Sequence, residues 1–322
     1  MRNTAGFYPP SALFAPRSRQ LNQFEHACVR DLAWCLNSPA IYRLGQPDNC
    51  LPGETKRLWQ WLRRLDQKPQ ALLDAITRQR SHRLGIYVET LIEFTLAQHL
   101  RPERHLYALA VRQQRITLGE YDFLFRRRGE AALRHLEICI KFYLGIPRQQ
   151  GGTFWIGLNR NDQLIKKRDK MQQRQLQLSQ HPAARRQLQK MGEQVGHCHG
   201  LMLGRLFYPF AQPTLSPPPG VQKRHLRGWW LRHSEQQQLT ETAASTLISS
   251  PVLLVSLLGH HWLAPLTPAD AERLAAEAQR MPDGIPPGMT ARLLQTPQGW
   301  REHDRGLLVD DAWLDSVLKT LQ

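Results

Sequence analysis

A chain of 322 residues, 41% hydrophobic and 22% charged, holds one elaborated domain or two modest ones and is too apolar for wholesale disorder. Lys and Arg number 43 against 27 Asp and Glu, a formal charge of +16 and the balance of a protein drawn to polyanions, nucleic acid above all. No apolar run nears the ~20 residues of a membrane helix, and Pro9 and Pro10 interrupt the place of a signal peptide's apolar segment, which excludes membrane and secreted classes.

Five cysteines, an odd number with no Cys-x-x-Cys pair, point to a reducing cytoplasm without a disulfide framework. His197 and His199 alternate onto one face of a strand and could chelate. No second pair stands at zinc-finger spacing, so no structural zinc is expected, and the His260-His261 pair is set aside with them.

In chain order, residues 1–20 read as a loose tail rich in proline. Helical patterning over Leu21–Leu36 and Thr55–Thr77 makes residues 21–80 a helical cap. Gly85–Leu100 is apolar around most of its circumference and reads as a buried helix carrying Glu89 and Glu93 on one face. The segments LYALAVRQQRI, GEYDFLFRR and LRHLEICIKFYL read as strands, the last two as a hairpin around Gly129. A polar, basic helix over Asp162–Ser179 and the strand GLMLGRLFYPF complete an α/β core over residues 81–211. After the stiff segment Pro213–Gly220 come RGWWL, PVLLVSLLGHHWLAPL, a helix over Pro268–Met281 and strands around Ala291 and Leu307. Residues 212–322 are a C-terminal extension, either a second domain or a continuation of the first sheet. Trp229, Trp230 and Trp262 lie in apolar segments and are expected in the core rather than as base-stacking platforms.

The hairpin carries the most informative chemistry. In its second strand Leu136, Ile138, Ile140, Phe142 and Leu144 alternate with His135, Glu137, Cys139, Lys141 and Tyr143, so one face is apolar and the other polar. In the first, Glu120 and Asp122 share one face, with Tyr121, Phe123 and Phe125 on the other. A two-residue turn at Gly129-Glu130 makes paired residue numbers sum to 259, which sets Asp122 opposite Glu137. Opposed carboxylates with Cβ atoms ~5 Å apart repel or share a cation, and Mg²⁺ takes one or two carboxylates plus water and phosphate. The plainer reading is a solvated charged face.

A helix Glu, a strand Asp, then a strand Glu with a downstream Lys resembles the PD-(D/E)XK nuclease superfamily, the restriction-endonuclease-like fold. More narrowly, GIYVETLIEF, TLGEYDFLF and HLEICIKFYLG, with RLFYP, RGWWL and HHWLAPL, resemble the bacterial domain-of-unknown-function 1853 family over residues 25–315. The resemblance implies a mixed-sheet core flanked by helices. Glu89 matches the helix acid, Asp122 and Glu137 the metal-binding pair for Mg²⁺ or Mn²⁺, and Lys141 the lysine. One feature departs from the pattern: three residues separate Glu137 from Lys141 where the superfamily has one, and Cys139 occupies the lysine's place. At ~3.3 Å per residue Lys141 starts roughly 13 Å along the strand from Glu137.

Between Arg160 and Lys190 nine basic side chains face only Asp162 and Asp169, a surface suited to phosphates without regard to sequence. Lys166, Lys167, Lys170 and Arg174 are the expected nucleic-acid contacts. Gln175, Glu120 and His135 are supporting candidates near the acids, with Tyr143 on the same face. The expected activity is Mg²⁺-dependent phosphodiester hydrolysis on DNA or RNA. The alternatives are a catalytically degenerate fold that only binds nucleic acid, and a structural or protein-interaction role.

Overall fold

The structure is a computed structural model that describes residues 20–48, 50–53, 55–79, 81–239, 251–280 and 284–321. The expected tail over residues 1–20 lies almost wholly outside them, as does the His260 side chain. Among the described residues no helix is long and apolar enough to cross a membrane.

Among the described residues the main sheet is preceded by α1 (Ala27–Asn37), α2 (Lys56–Gln67), α3 (Gln70–Thr77) and α4 (Leu84–Thr95), with a short strand β1 (Tyr42–Gly45) after α1. In α2 the buried residues Leu58, Leu62 and Leu65 repeat at helical spacing, and Thr55 caps the first turn by accepting the Leu58 N–H at 3.1 Å. The helix expected to run unbroken over Thr55–Thr77 is two, because Pro69 has no N–H to donate and the Lys68 N–H turns back to the Leu65 carbonyl. The first expected helix likewise starts at Ala27 rather than Leu21, after a turn closed by Phe24 N–H on the Leu21 carbonyl. Helix α4 runs on as a π-helical turn, Leu96–Leu100.

Three strands then form an antiparallel meander, β2 (Arg104–Gln113), β3 (Ile116–Arg126) and β4 (Leu133–Pro147), and β5 (Thr153–Ile156) folds back on the end of β4. The basic segment returns the chain to β6 (Val195–Pro209), which lies parallel to β4. This segment is not the single helix expected. It comprises α5 (Leu164–Lys170), a π turn (Met171–Gln175), a 3₁₀ turn (Leu178–Gln180) and α6 (Pro182–Lys190). Met171 and Leu176, five residues apart, both reach the sheet, a spacing that a π turn satisfies and an α turn does not. Gly200 on β6 makes room for them: an added Cβ would lie 3.0 Å from Met171 Sδ and 3.2 Å from Leu176 Cδ1.

The C-terminal third continues the same sheet. Strands β7 (Leu226–Arg232), β8 (Val252–Ser256), β9 (Gly288–Thr296) and β10 (Gly299–Val309) extend it to the order β2-β3-β4-β6-β7-β10-β9-β8, with helices α7 (Pro268–Ala278) and α8 (Asp311–Leu321) packed against that end. The centre is parallel (β4, β6, β7, β10) and both margins are antiparallel. Trp229 is fully buried with its indole N–H on Asp304 at 2.7 Å, a core role as expected. Helices α1–α4 cover one face through Phe123, Phe125, Leu136, Ile138 and Ile140. The basic segment covers the other, with Leu178 and Leu188 packed on Tyr121, Leu124 and Leu133.

Candidate functional site

The β3–β4 register is the one the turn arithmetic gives: Phe125 pairs with Arg134, Leu124 with His135 and Phe123 with Leu136. The turn itself is not the two-residue one expected at Gly129-Glu130: the strands are joined by residues 127–132, with the Glu130 N–H closing a turn on the Arg127 carbonyl at 3.1 Å, and because that connection is symmetric about the same point it preserves the register. One step further Asp122 meets Glu137, and there the ladder opens. The Asp122 N–H points at Glu137 Oε1 at 3.4 Å, and Asp122 Oδ2 accepts the Ile138 N–H at 3.0 Å. Side-chain carboxylates stand where strand carbonyls would, so the two strands part around them. The regular alternation expected of β3 fails at the same point. Phe123 and Phe125 pack under α1–α4, but Tyr121 packs on the opposite side, its ring edge-on to His135 at 4.7 Å. The neighbouring strand is also irregular here, with Ala108 at φ 51°.

Glu137 is fully buried and held on both oxygens. His135 Nε2 lies 2.6 Å from Oε1, and the Gln175 amide donates to Oε2 at 2.5 Å. Burial, then the Glu137 charge and that of Glu89, push the Asp122 carboxyl up to about 8, against the Ile138 hydrogen bond and His135, which pull it down. Burial also raises Glu89, with Glu120 and Glu137 adding to it, while a Tyr107 hydroxyl at 3.5 Å and the Lys167 charge lower it. Burial alone would lower His135, but its hydrogen bonds to Cys198 and Glu137 more than reverse that, to about 9. Glu89 thus enters from the helix side as expected, yet it does not complete a set of three donors within 4.8 Å. Asp122 Oδ1 carries no hydrogen bond among the described residues. Two oxygen donors and a carboxylate oxygen left over fit a hard divalent cation held by two acids and completed by water and phosphate.

The lysines are arranged differently from the expectation. Lys141 donates to Asp162 Oδ2 at 2.6 Å, and the Tyr143 hydroxyl donates to Asp162 Oδ1 at 2.7 Å. Asp162 therefore engages Lys141 away from the acids. Lys167 instead turns inward, donating to Gln175 Oε1 at 3.2 Å, so that Lys167, Gln175 and Glu137 form one chain of contacts. Lys166, Lys170 and Arg174 are exposed, with no carboxylate partner among the described residues. The inward turn of Lys167 and the role of Asp162 left no mark in the sequence: in a basic run every Lys reads alike, and the π turn that aims Gln175 has no compositional signature.

The pattern of the family described as Domain of unknown function (DUF1853) matches residues 30–309. The chain belongs to that family. No curated protein and no solved structure matches the chain. The matched span of this DUF1853 chain contains all of Glu89, Asp122, Glu137, Lys141, Lys167 and Gln175. Together they set two carboxylates at the opening of the β3–β4 ladder and link Glu137 through Gln175 to Lys167.

Proposed function

We propose that this DUF1853 protein is a Mg²⁺- or Mn²⁺-dependent phosphodiesterase acting on DNA or RNA, built on a restriction-endonuclease-like core. The observation that carries the reading is the fully buried Glu137 beside the half-buried Asp122 at the point where β3 leaves β4, flanked by the basic segment over residues 164–190. The order of elements agrees with it: a helix bearing Glu89, an antiparallel hairpin bearing the acids, then a helical return to a parallel strand.

Asp122 and Glu137 would hold the cation, with Glu89 reaching it through water. The bound cation would polarise the scissile phosphate and acidify the attacking water. His135 and Gln175 fix the Glu137 rotamer, so that its carboxylate is preorganised. Lys167 would stabilise charge developing on the phosphate, the part expected of Lys141. Lys166, Lys170 and Arg174 would hold flanking phosphates.

One observation favours a second reading, a fold that binds nucleic acid without cleaving it: Lys141 is paired to Asp162 rather than placed at the acids. Incubation of labelled DNA and RNA with the protein in Mg²⁺, Mn²⁺ or EDTA separates the two. Divalent-dependent cleavage that disappears in Asp122→Ala and Glu137→Ala is the expected result. Salt-sensitive binding without cleavage transfers the assignment to the second reading, and absence of both refutes each.

A further inference from the structure

The sheet carries a second group of ligand-type side chains, on the face away from the carboxylates. In the β4–β6 register Arg134 pairs with His197 and Leu136 with His199. Leu136 packs under the cap helices, so these partners share that face, whereas His135 and Glu137 alternate to the other. Asp48 arrives from the loop after β1, which pairs with β6 through Leu44 and Gly200 and through Gly45 and His199. Gly45 allows the approach: its φ is 82°, and an added Cβ would overlap the Cys198 carbonyl oxygen. The loop is pinned beyond it by the Gln46 N–H on the Cys198 carbonyl at 3.0 Å and the Cys198 N–H on Gln46 Oε1 at 2.6 Å.

We propose that Asp48, His197 and His199 form a binding site for a divalent transition metal of the Zn²⁺ class, one that clamps this loop to β6. Asp48 Oδ1 lies 3.8 Å from His197 Nδ1 and 3.6 Å from His199 Nε2, and the three ligand atoms all fall within 4.8 Å of one another. Ligands of a tetrahedral zinc at ~2.0–2.1 Å stand roughly 3.3 Å apart, so the set closes by small side-chain shifts and leaves a fourth position for water. Two imidazoles and a carboxylate select a borderline metal rather than Mg²⁺.

The surroundings prepare the donors. His199 hydrogen-bonds the Gln46 main chain, the kind of outer contact that orients a ligating ring. Arg134 holds the other Asp48 oxygen, leaving Oδ1 turned to the histidines, and its Nη1 also lies 3.4 Å from His199 Nε2, a contact that a bound metal would displace. Glu130 also binds Arg134, at 2.7 Å, so the two carboxylates share that guanidinium. The rings of His197 and His199 are parallel to within 3° at 6.3 Å, the presentation of two ligands side by side on one strand.

The test is calorimetric titration of the chelator-treated full-length protein with Zn²⁺, with Co²⁺ absorption as a readout of tetrahedral coordination. One saturable site is expected, weakened at least ~100-fold in His197→Gln and in Asp48→Asn, since even outer-shell changes cost 10–100-fold. Both residues are substantially exposed, with side-chain exposures of 46% and 42%, so neither change threatens folding. Asp122→Ala must retain the site, and Mg²⁺ must not compete for it. Absence of Zn²⁺ binding, unchanged affinity in either variant, or loss in Asp122→Ala would overturn the proposal.

Discussion

Replacing Asp122 by Asn should make the metal-free protein more stable, increasingly so as the pH rises. Unfolded, the carboxyl ionises near 3.8; folded, burial and the charges of Glu137 and Glu89 hold it at about 8. Between these values the folded state carries the extra proton, so wild-type stability falls as pH climbs from ~4 to ~8, by up to ~1.4 kcal/mol per pH unit. The full interval corresponds to at most about 6 kcal/mol. Asp122 is only partly buried, and water in the cleft relieves some of that, so a difference of about 2 kcal/mol at pH 8 is the working figure. Asn keeps an oxygen for the Ile138 N–H and removes the charge. His135 titrates in the same range and feels the Asp122 charge, so the difference between the two proteins reports Asp122 together with its coupling to His135. Urea denaturation in EDTA should show near-equal stability at pH 5 and a gap in favour of Asp122→Asn at pH 8. Mg²⁺ should then stabilise the wild type and not the variant. Parallel stability–pH curves for the two proteins would refute the account of a repelling, cation-seeking pair.

Glu137→Gln should lose the Mg²⁺-dependent rise in melting temperature and any cleavage activity, read by calorimetry and by gel assay. Lys167→Ala should lower cleavage more than Lys141→Ala does, because only the former touches the Gln175–Glu137 pair; the reverse order in single-turnover rates would reinstate Lys141. Charge reversal at Lys166, Lys170 and Arg174 should weaken nucleic-acid binding alike for all sequences and reduce the salt slope by about 1 for each phosphate no longer neutralised, measured by filter binding. Trp229→Ala, which empties a fully buried site and leaves Asp304 short of a donor, should cost about 3–5 kcal/mol in denaturant unfolding.

How much of the molecule was legible in its sequence depended on the range of the interactions. Alternation is local and the connection over 127–132 is symmetric about the turn assumed from spacing, so the β4 faces and the pairing that opposes Asp122 to Glu137 were legible even though the turn itself is longer. Breaks set by tertiary packing do not. The π turn at Met171–Gln175 exists because two apolar side chains five apart must both meet the sheet beside Gly200, a demand visible only once β6 is in place. Tyr121 leaves the face of Phe123 because the Asp122 side chain enters the ladder between them. Asp48 and His199 lie far apart in sequence, and nothing in the His-x-His spacing names the third donor; β1 pairing with β6 supplies it. The C-terminal strands read as strands, but their place in the sheet rests on parallel pairing of β10 with β7, which spacing does not encode.

The parity of one pair of strands separates the two proposed metal sites. On β4, His135 and Glu137 face the basic segment, and Arg134 and Leu136 face the cap; on β6, Cys198 lies beside His135, and His197 and His199 lie beside Arg134 and Leu136. The first site offers the carboxylates of Asp122 and Glu137 and the second two imidazoles with one carboxylate, so the two differ in metal preference as well as in position. The face with the carboxylates is also the face covered by residues 164–190, where the exposed lysines lie. A cation at Asp122 and Glu137 would therefore sit within reach of phosphate, whereas a metal at Asp48 would sit behind the sheet, bracing β6 through the loop after β1. Metal binding at one face should accordingly survive loss of the other. If each set of substitutions abolished both binding events, the sheet would be transmitting a global change, and neither site could be assigned from local geometry.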